Sequence, residues 1–335
     1  MRPPKKHLIF VHGRSTKPAE KEKERLVRTA LLRGIERTDP ESADQIRSGH
    51  VRFTMAYFGD VNNRIMRRSG TRPWKWMTKK DPDHGNALCE DGIYYDDSLR
   101  EALGRPSDAF TKTDYKRWLG DVKDMRIADD VARIVSGVAS FFGLSDEFME
   151  RGGADMVAYL TRRTVASEVR TRLQEPLKLA LRSGEDVCLM SHSMGCIVAY
   201  DVLWKFSRMS EYRELRGAKV PLWLTLGNPL GEPGVRKNLY DAREPEDSQF
   251  PEDIVDTWVN MSAYDDFICH DATMADDFRD MVRRGYIRRI HDRPKIYSFW
   301  RGGRGANPHK LYGYLNHPDV GAEIAAWIRS ERPRS

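Results

Sequence analysis

Short apolar runs alternate with amphipathic stretches along most of the chain. The runs have the length and composition of buried strands, and the stretches place apolar residues three or four positions apart. Strands are predicted at residues 7–11, 51–57, 186–190, 220–226, 254–261 and 295–300, and helices at residues 17–37, 155–181, 194–207, 276–284 and 319–329. Because strands that alternate with helices form βαβ units, we predict an α/β fold with a doubly wound, mostly parallel sheet of about six strands.

The helical pattern of residues 155–181 is the longest of these stretches. Its apolar residues recur near the helical period, among them Met156, Leu160 and Leu177. Pro176 lies inside the pattern, and a proline in a helix interior removes a backbone hydrogen bond and clashes with the preceding turn. We therefore expect one helix that is kinked at Pro176.

Residues 59–153 lack any run that is typical of a strand of the main sheet. We interpret them as a mainly helical cap, inserted into a core formed by residues 1–58 and 154–335. Residues 72–80 interleave tryptophans with basic side chains, as an interfacial membrane anchor does, although we favour a packed cap with solvated lysines. Residues 81–86 place acidic side chains near a glycine, but the EF-hand spacing needs that glycine one position later, so no metal site is predicted.

The strongest local signal is the pentapeptide SHSMG at residues 191–195. It follows the predicted strand 186–190 and opens the predicted helix 194–207. A sharp strand–turn–helix element with small residues at Ser191 and Gly195 exposes the hydroxyl of the central serine above the sheet. We predict Ser193 as a nucleophile. The alternative is a serine that caps the helix and has no chemical role.

A second glycine turn follows the first strand, at His12, Gly13 and Arg14. Acyl transfer needs backbone N–H donors directed at the oxygen that becomes negative. In a parallel sheet, this loop and the turn at Ser193 lie at the same edge. We predict an oxyanion hole formed by the N–H of Met194 and by that of Gly13 or Arg14.

A serine nucleophile needs a base, and His309 fits this role best. It follows the last predicted strand, residues 295–300, through a glycine-rich loop, which brings it to the edge where Ser193 lies. His291 precedes that strand and is expected at the opposite edge. His317 stands before a proline at the start of the last helix, so we interpret it as part of the helix terminus.

An acid is needed to orient the histidine and to stabilise the imidazolium. Two adjacent carboxylates, Asp265 and Asp266, follow the predicted strand 254–261. The loop after strand 220–226 offers only Glu232. The residues alone leave Asp265 and Asp266 open as alternatives.

These motifs resemble the α/β-hydrolase superfamily, and its bacterial lipase- and esterase-like members in particular. The similar segments are residues 7–13, 155–199, 223–230, 258–268 and 309–315. The order of nucleophile, acid and histidine is also that of the family. The resemblance favours Asp266, because Asp-Phe-Ile is similar to a stretch common at the family's acid. It implies ester hydrolysis through an acyl-enzyme, without cofactor or metal, on a sheet that lacks the first two family strands.

Composition places the chain among ordinary globular proteins. Hydrophobic residues make up 40% and charged residues 32%, with a net charge of +6. Four cysteines without CxxC spacing favour reduced thiols over a zinc site or a disulfide framework. No signal-peptide pattern and no apolar stretch of membrane-helix length occur in the sequence, so we expect a cytoplasmic protein. No nucleic-acid-binding motif occurs, and no nucleic-acid partner is expected.

The leading hypothesis is a carboxylic ester hydrolase acting on a small-molecule or lipid ester. Thioester and amide hydrolysis use the same residues and stay open. A second hypothesis is a non-catalytic protein of this fold that binds a ligand or a partner. A third is a phospholipase at anionic membrane surfaces, since the positive charge favours weak contact with such a surface.

Overall fold

Six parallel strands form one open sheet at the centre of the structure. The computed structural model describes residues 5–68, 111–121, 146–269, 271–302 and 305–331. The strands are β1 (Lys6–Val11), β2 (Val51–Ala56), β3 (Asp186–His192), β4 (Val220–Leu226), β5 (Val255–Ala263) and β6 (Arg289–Ile296). They lie in the order β2-β1-β3-β4-β5-β6, and every neighbouring pair is parallel. The prediction of an α/β fold with a parallel sheet is confirmed.

Helices cover both faces of this sheet. They are α1 (Glu20–Glu36), α2 (Pro40–Arg47), α3 (Gly59–Arg68), α4 (Lys112–Asp121), α5 (Asp146–Thr161), α6 (Arg163–Arg182), α7 (Met194–Arg208), α8 (Pro233–Arg236), α9 (Arg279–Arg283), α10 (Leu311–Leu315) and α11 (Pro318–Arg329). Short 3-10 helices span Ser210–Leu215 and Glu246–Ser248. Two further strands, β7 (Arg301–Gly302) and β8 (Gly305–Ala306), form a small antiparallel pair before α10.

The central strands are buried on both faces because alternate side chains point in opposite directions. Leu8 and Phe10 of β1 pack in the core shared with α1, α10 and α11, whereas Ile9 and Val11 pack in the core shared with α6 and α7. Such strands appear in the sequence as continuous apolar runs. This is why β1, β3 and β4 were predictable from the sequence.

The last strand of the sheet differs from its prediction at residues 295–300. It is β6, which begins at Arg289 and ends at Ile296. β6 lies at the sheet edge and pairs with β5 alone, and most of its side chains are at least partly exposed, so it carries no apolar run. It also contains Pro294, which an edge strand tolerates. The apolar residues that suggested a strand, Phe299 and Trp300, are buried in the loop that follows.

The long helical pattern of residues 155–181 is divided between two helices, α5 and α6. The break lies at Arg162, whose φ of −115° and ψ of 105° are extended, and Pro176 lies inside α6. The helical segment is therefore interrupted at Arg162, and not at Pro176 as expected. A second irregularity lies within α5 at Gly153, which has φ 71° and ψ 162°.

Two helices outside the predicted set cover parts of the core. Helix α2 begins with Pro40 and is capped by the Asp39 side chain, which accepts a hydrogen bond from the Ser42 N–H. Both are standard signals for a helix start. Helix α3 begins at the predicted cap boundary and buries Val61 in the same core as Val11.

Most of the predicted cap, residues 59–153, falls outside the described residues. The same holds for the aromatic–basic segment 72–80 and the acidic segment 81–86, so those predictions are not tested. Among the described helices, none combines the length and the apolar composition needed to cross a membrane.

Candidate active site

Ser193 lies in the sharp turn between β3 and α7. Its φ of 55° and ψ of −129° belong to a region that residues with a side chain rarely adopt. The Ser193 N–H donates to the Leu226 carbonyl at 3.0 Å, which anchors the turn to the end of β4. At Gly195 a side-chain carbon would lie 2.6 Å from the Val11 carbonyl oxygen, so only glycine permits this close packing. A strained serine held in this way is typical of a functional site.

His309 lies between β8 and α10 and contacts Ser193 directly. Its Nε2 is 2.9 Å from the Ser193 Oγ, and its Nδ1 is 2.9 and 3.0 Å from the two carboxylate oxygens of Asp266. An ionised carboxylate only accepts hydrogen bonds, so Nδ1 carries the proton and Nε2 is the acceptor for the serine hydroxyl. This is the tautomer that a general base requires.

The backbone of His309 is also fixed by a second histidine. His192, next to the serine, donates from Nε2 to the His309 carbonyl at 2.9 Å. No role is predicted for His192 from the sequence. Its contact instead joins the end of β3 to the loop that carries His309.

Asp266 is buried behind His309 in the loop after β5. It accepts from the Tyr314 hydroxyl at 2.7 Å and from the Ile268 N–H at 2.9 Å, besides its contact with His309. Burial alone would raise the pKa of this carboxyl, but His309, Tyr314 and the Ile268 N–H together hold the pKa below its ordinary value. Asp266 is therefore set up to stay ionised.

Asp265, the alternative acid, is not bonded among the described residues to His309, whose Nδ1 partner is Asp266. It is exposed, and its backbone has a positive φ of 65°. Glu232, at the start of α8, is likewise not bonded to His309 among the described residues, and His317 caps α11 by accepting from the Asp319 N–H. His291 lies inside strand β6, opposite Val259 of β5. The structure thus brings together Ser193, His309 and Asp266.

The proposed oxyanion donors lie around the serine. Met194 is the first residue of α7, and N–H groups of a helix's first turn have no acceptor within the helix. Gly13 is close to Ser193, since a side-chain carbon there would lie 2.8 Å from the Ser193 Cβ. Arg14 follows directly, with a half-buried side chain. The loop after β1 and the start of α7 therefore flank Ser193.

The site includes contacts that the sequence did not reveal. Tyr314 lies in an apolar stretch and reads as a core residue, yet its hydroxyl bonds both Asp266 and the Ala263 N–H, each at 2.7 Å. At Gly227 a side-chain carbon would lie 3.2 Å from both Asp266 and His309. No local sequence pattern indicates the contacts of Tyr314 or the close packing at Gly227.

Helix α4, from the predicted cap, packs beside the same loops. Its Tyr115 is fully buried against the rings of Tyr264, Tyr297 and Phe299, with centroids 5.3 to 6.0 Å apart. Lys112 of the same helix lies 4.6 Å from the Tyr264 ring centroid. These rings border the loop that carries Asp265 and Asp266.

Asp266, Cys269 and His309 also bring potential metal ligands together. A carboxylate oxygen, the thiol sulfur and a ring nitrogen lie within 4.8 Å of one another. Metals bind cysteine as the thiolate, but burial and the nearby Asp266 carboxylate raise the pKa of the Cys269 thiol well above its ordinary value. Two of the three potential ligands, Asp266 and His309, already bond each other through the His309 Nδ1.

Comparison with known proteins identifies no relative. No protein-family model matches the chain, no curated protein matches it, and no solved structure matches it. What the chain does must therefore be inferred from its own residues.

Proposed function

We propose that the chain is a serine hydrolase with an α/β-hydrolase core, which cleaves carboxylic esters through an acyl-enzyme on Ser193. The observation that carries the proposal is the continuous hydrogen-bonded chain from the Ser193 hydroxyl through His309 to Asp266. Ser193 and Asp266 lie in the turns after β3 and β5, and His309 lies in the segment after β6, beyond β7 and β8. Ligand and reaction sites of parallel sheets gather at this edge.

In the first half of the reaction, His309 Nε2 takes the Ser193 proton while Oγ attacks the acyl carbon. The carbonyl oxygen becomes negative and accepts hydrogen bonds from the N–H of Met194 and of Gly13 or Arg14. Asp266 stabilises the imidazolium. When the tetrahedral intermediate collapses, the ester C–O bond breaks, and the imidazolium gives its proton to the departing alkoxide.

In the second half, water replaces the alcohol. His309 takes a proton from the water, the hydroxide attacks the acyl-enzyme, and a second oxyanion forms in the same place. Collapse breaks the bond to Ser193, whose Oγ regains the proton from His309. The carboxylic acid leaves, and every group returns to its starting state.

Labelling with a fluorophosphonate probe tests this proposal. Wild type is expected to label covalently, whereas Ser193→Ala and His309→Ala are expected not to. Ser191→Ala is the matched control, because Ser191 lies two positions from the nucleophile but bonds Trp223 and Cys196 instead of the histidine. Circular dichroism checks that each variant is folded. A folded wild type that does not label would contradict the proposal and favour the non-catalytic binding protein.

A substrate series then defines the bond that is cleaved. Short-chain and long-chain p-nitrophenyl esters, a thioester, an anilide and phospholipid vesicles share the acyl-transfer chemistry but differ in leaving group and presentation. We expect the highest kcat/KM on carboxylic esters. Activity confined to anionic vesicles, and lost at high salt, would instead indicate a phospholipase that acts at charged surfaces.

A further inference from the structure

The loop between β1 and α1 is held by buried polar side chains. Lys17, Asn62 and Asp155 are each 0% exposed, and they come from the loop itself, from α3 and from α5. Burying a charge is costly unless the charge is paired or hydrogen-bonded. All three side chains bond the backbone of residues 13–15, next to Ser193.

Lys17 and Asp155 hold opposite ends of one peptide unit. The Lys17 ammonium donates to the Arg14 carbonyl at 2.5 Å, and the Asp155 carboxylate accepts from the Ser15 N–H at 2.5 Å. The carbonyl and the N–H of a trans peptide point in opposite directions. A cation on one side and an anion on the other therefore fix this peptide plane, and Ser15 adopts a positive φ of 79°.

The preceding peptide is fixed in a related way. The Phe58 N–H donates to His12 Nε2 at 3.0 Å, so Nδ1 carries the ring proton and donates to the Gly13 carbonyl at 2.8 Å. Asn62 donates to the Gly13 and Ser15 carbonyls, at 3.5 and 3.3 Å. Because the Gly13 carbonyl points towards these donors, the Arg14 N–H points away from them.

The Arg14 side chain is also directed towards α5. Its guanidinium lies 2.7 Å from the position that a side-chain carbon at Gly153 would occupy, and the Asp155 carboxylate lies 3.3 Å from the same position. A side chain at Gly153 would displace this arrangement. The loop is thus bonded to α5 through the Ser15 N–H, and the Arg14 side chain lies close to Gly153.

We propose that Asp155 and Lys17 are positioning residues that hold the Arg14 N–H where it receives the oxyanion. Neither side chain touches the reacting atoms. They act through the Arg14–Ser15 peptide, which directly follows the Arg14 N–H along the chain. This inference rests on the proposed hydrolase function and assigns a role to two buried charges that the proton-transfer chain does not use.

Steady-state kinetics and inhibitor binding test the proposal on Asp155→Ala, Asp155→Asn and Lys17→Met. Asp155→Ala is expected to lower kcat by about 10- to 100-fold, somewhat less than the loss of a whole oxyanion donor, and to leave KM unchanged. A trifluoromethyl ketone forms a tetrahedral oxyanion with the serine, so its affinity should fall by the same factor. Asp155→Asn keeps an oxygen acceptor for the Ser15 N–H and should recover part of the loss. Lys17→Met should resemble Asp155→Ala.

Asp201→Asn is the matched control, since Asp201 is a buried, hydrogen-bonded carboxylate far along α7 from the serine. It should leave both kcat and ketone affinity unchanged. If wild type hydrolyses the ester but Asp155→Ala and Lys17→Met keep its kcat, the positioning role is wrong while the hydrolase proposal stands. A kcat loss without any loss of ketone affinity in the folded Asp155 variants would also overturn it. A wild type with no activity and no fluorophosphonate labelling would refute both proposals together.

Discussion

Two buried aspartates in this protein accept similar hydrogen bonds, but they have different basic partners and lie in different parts of the fold. Asp266 accepts from the Tyr314 hydroxyl at 2.7 Å, from a backbone N–H at 2.9 Å and from a histidine. Asp201 accepts from the Tyr159 hydroxyl at 2.7 Å, from a backbone N–H at 2.9 Å and from an arginine. The first lies at the carboxyl edge of the sheet, and the second joins α5, α6 and α7.

The pKa values of the two carboxyl groups are nevertheless shifted in opposite directions. Burial raises the pKa of Asp201, and the single Arg170 contact at 3.3 Å, with Tyr159 and the Tyr240 N–H, offsets this only in part. For Asp266, burial also raises the pKa, but His309, Tyr314 and the Ile268 N–H together outweigh it and hold the pKa below its ordinary value.

The decisive difference is the basic partner. A guanidinium stays charged and cannot pass on a proton, whereas an imidazole changes its charge near neutral pH. His309 is bonded in turn to Ser193, so the Asp266 contact continues to a serine hydroxyl. The contact between Asp201 and Arg170 connects α7 with α6 and does not lead to Ser193. Burial and hydrogen bonding alone therefore do not distinguish a reactive site from a structural network.

The largest expected effect separates the two aspartates by activity. Asp266→Asn replaces the acceptor of the His309 proton and favours the wrong tautomer, so kcat should fall by about 10³- to 10⁴-fold. Asp201→Asn should leave kcat close to that of wild type. Ester hydrolysis by the two purified variants measures this directly. Equal losses in both would mean that Asp266 has no special relation to the nucleophile.

The second expected effect separates them by stability. Asp201→Ala leaves the buried Arg170 without its carboxylate, which should lower the free energy of unfolding by about 3–5 kcal/mol. Asp266→Ala removes the acceptor of the His309 and Tyr314 hydrogen bonds but leaves no guanidinium behind, so its loss should be smaller, about 1–3 kcal/mol. Urea unfolding gives both values.

The control for this second effect is the double variant Asp201→Ala/Arg170→Met, which removes both charges. It should recover much of the stability that Asp201→Ala loses, because no buried charge is left alone. If the double variant is no more stable than Asp201→Ala, the loss does not come from an uncompensated Arg170.

A third, smaller effect is expected from the two tyrosines. Tyr314→Phe and Tyr159→Phe each remove a hydroxyl that donates to a buried carboxylate, and each should cost about 1–3 kcal/mol of stability. Only Tyr314→Phe should lower kcat/KM, by about tenfold, or about 1.4 kcal/mol of transition-state stabilisation. Kinetics and urea unfolding of both variants test the contrast, and a tenfold loss in Tyr159→Phe would refute it.

The sequence predicted Ser193 from a local motif at the end of β3, and His309 from its place in the segment after the last strand of the sheet. It could not identify Tyr314 or Asp155, whose partners Asp266 and Ser15 are 48 and 140 positions away. The edge strand β6 was misplaced for a related reason, since its polar residues pair with β5 while the apolar residues after it belong to a buried loop. Buried strands and motifs can be predicted from consecutive residues, whereas polar contacts between distant segments depend on the completed fold.

The smallest expected effect is a difference in the pH dependence of stability. The ordinary aspartate pKa is 3.8, and the folded protein lowers it for Asp266 and raises it for Asp201. Ionised Asp266 therefore contributes stability above pH 3.8, which is lost as the pH falls through its folded pKa. The contribution of Asp201 to stability depends on pH in the opposite sense, because the folded state binds the Asp201 proton more tightly than the unfolded state does. Its contribution becomes less favourable as the pH rises from 3.8 through its folded pKa.

Urea unfolding of wild type, Asp266→Asn and Asp201→Asn between about pH 3 and pH 6 separates these contributions. The stability deficit of Asp266→Asn relative to wild type should shrink as the pH falls below 3.8. Asp201→Asn should gain on wild type as the pH rises above 3.8. Because both substitutions remove one titrating carboxyl from a similar set of hydrogen bonds, opposite slopes would show that the contacts of Asp266 outweigh its burial, whereas those of Asp201 do not. If the stability differences of the two variants changed with pH in the same direction, the two carboxyl sites would be electrostatically alike. Only the contact of His309 with Ser193 would then distinguish them.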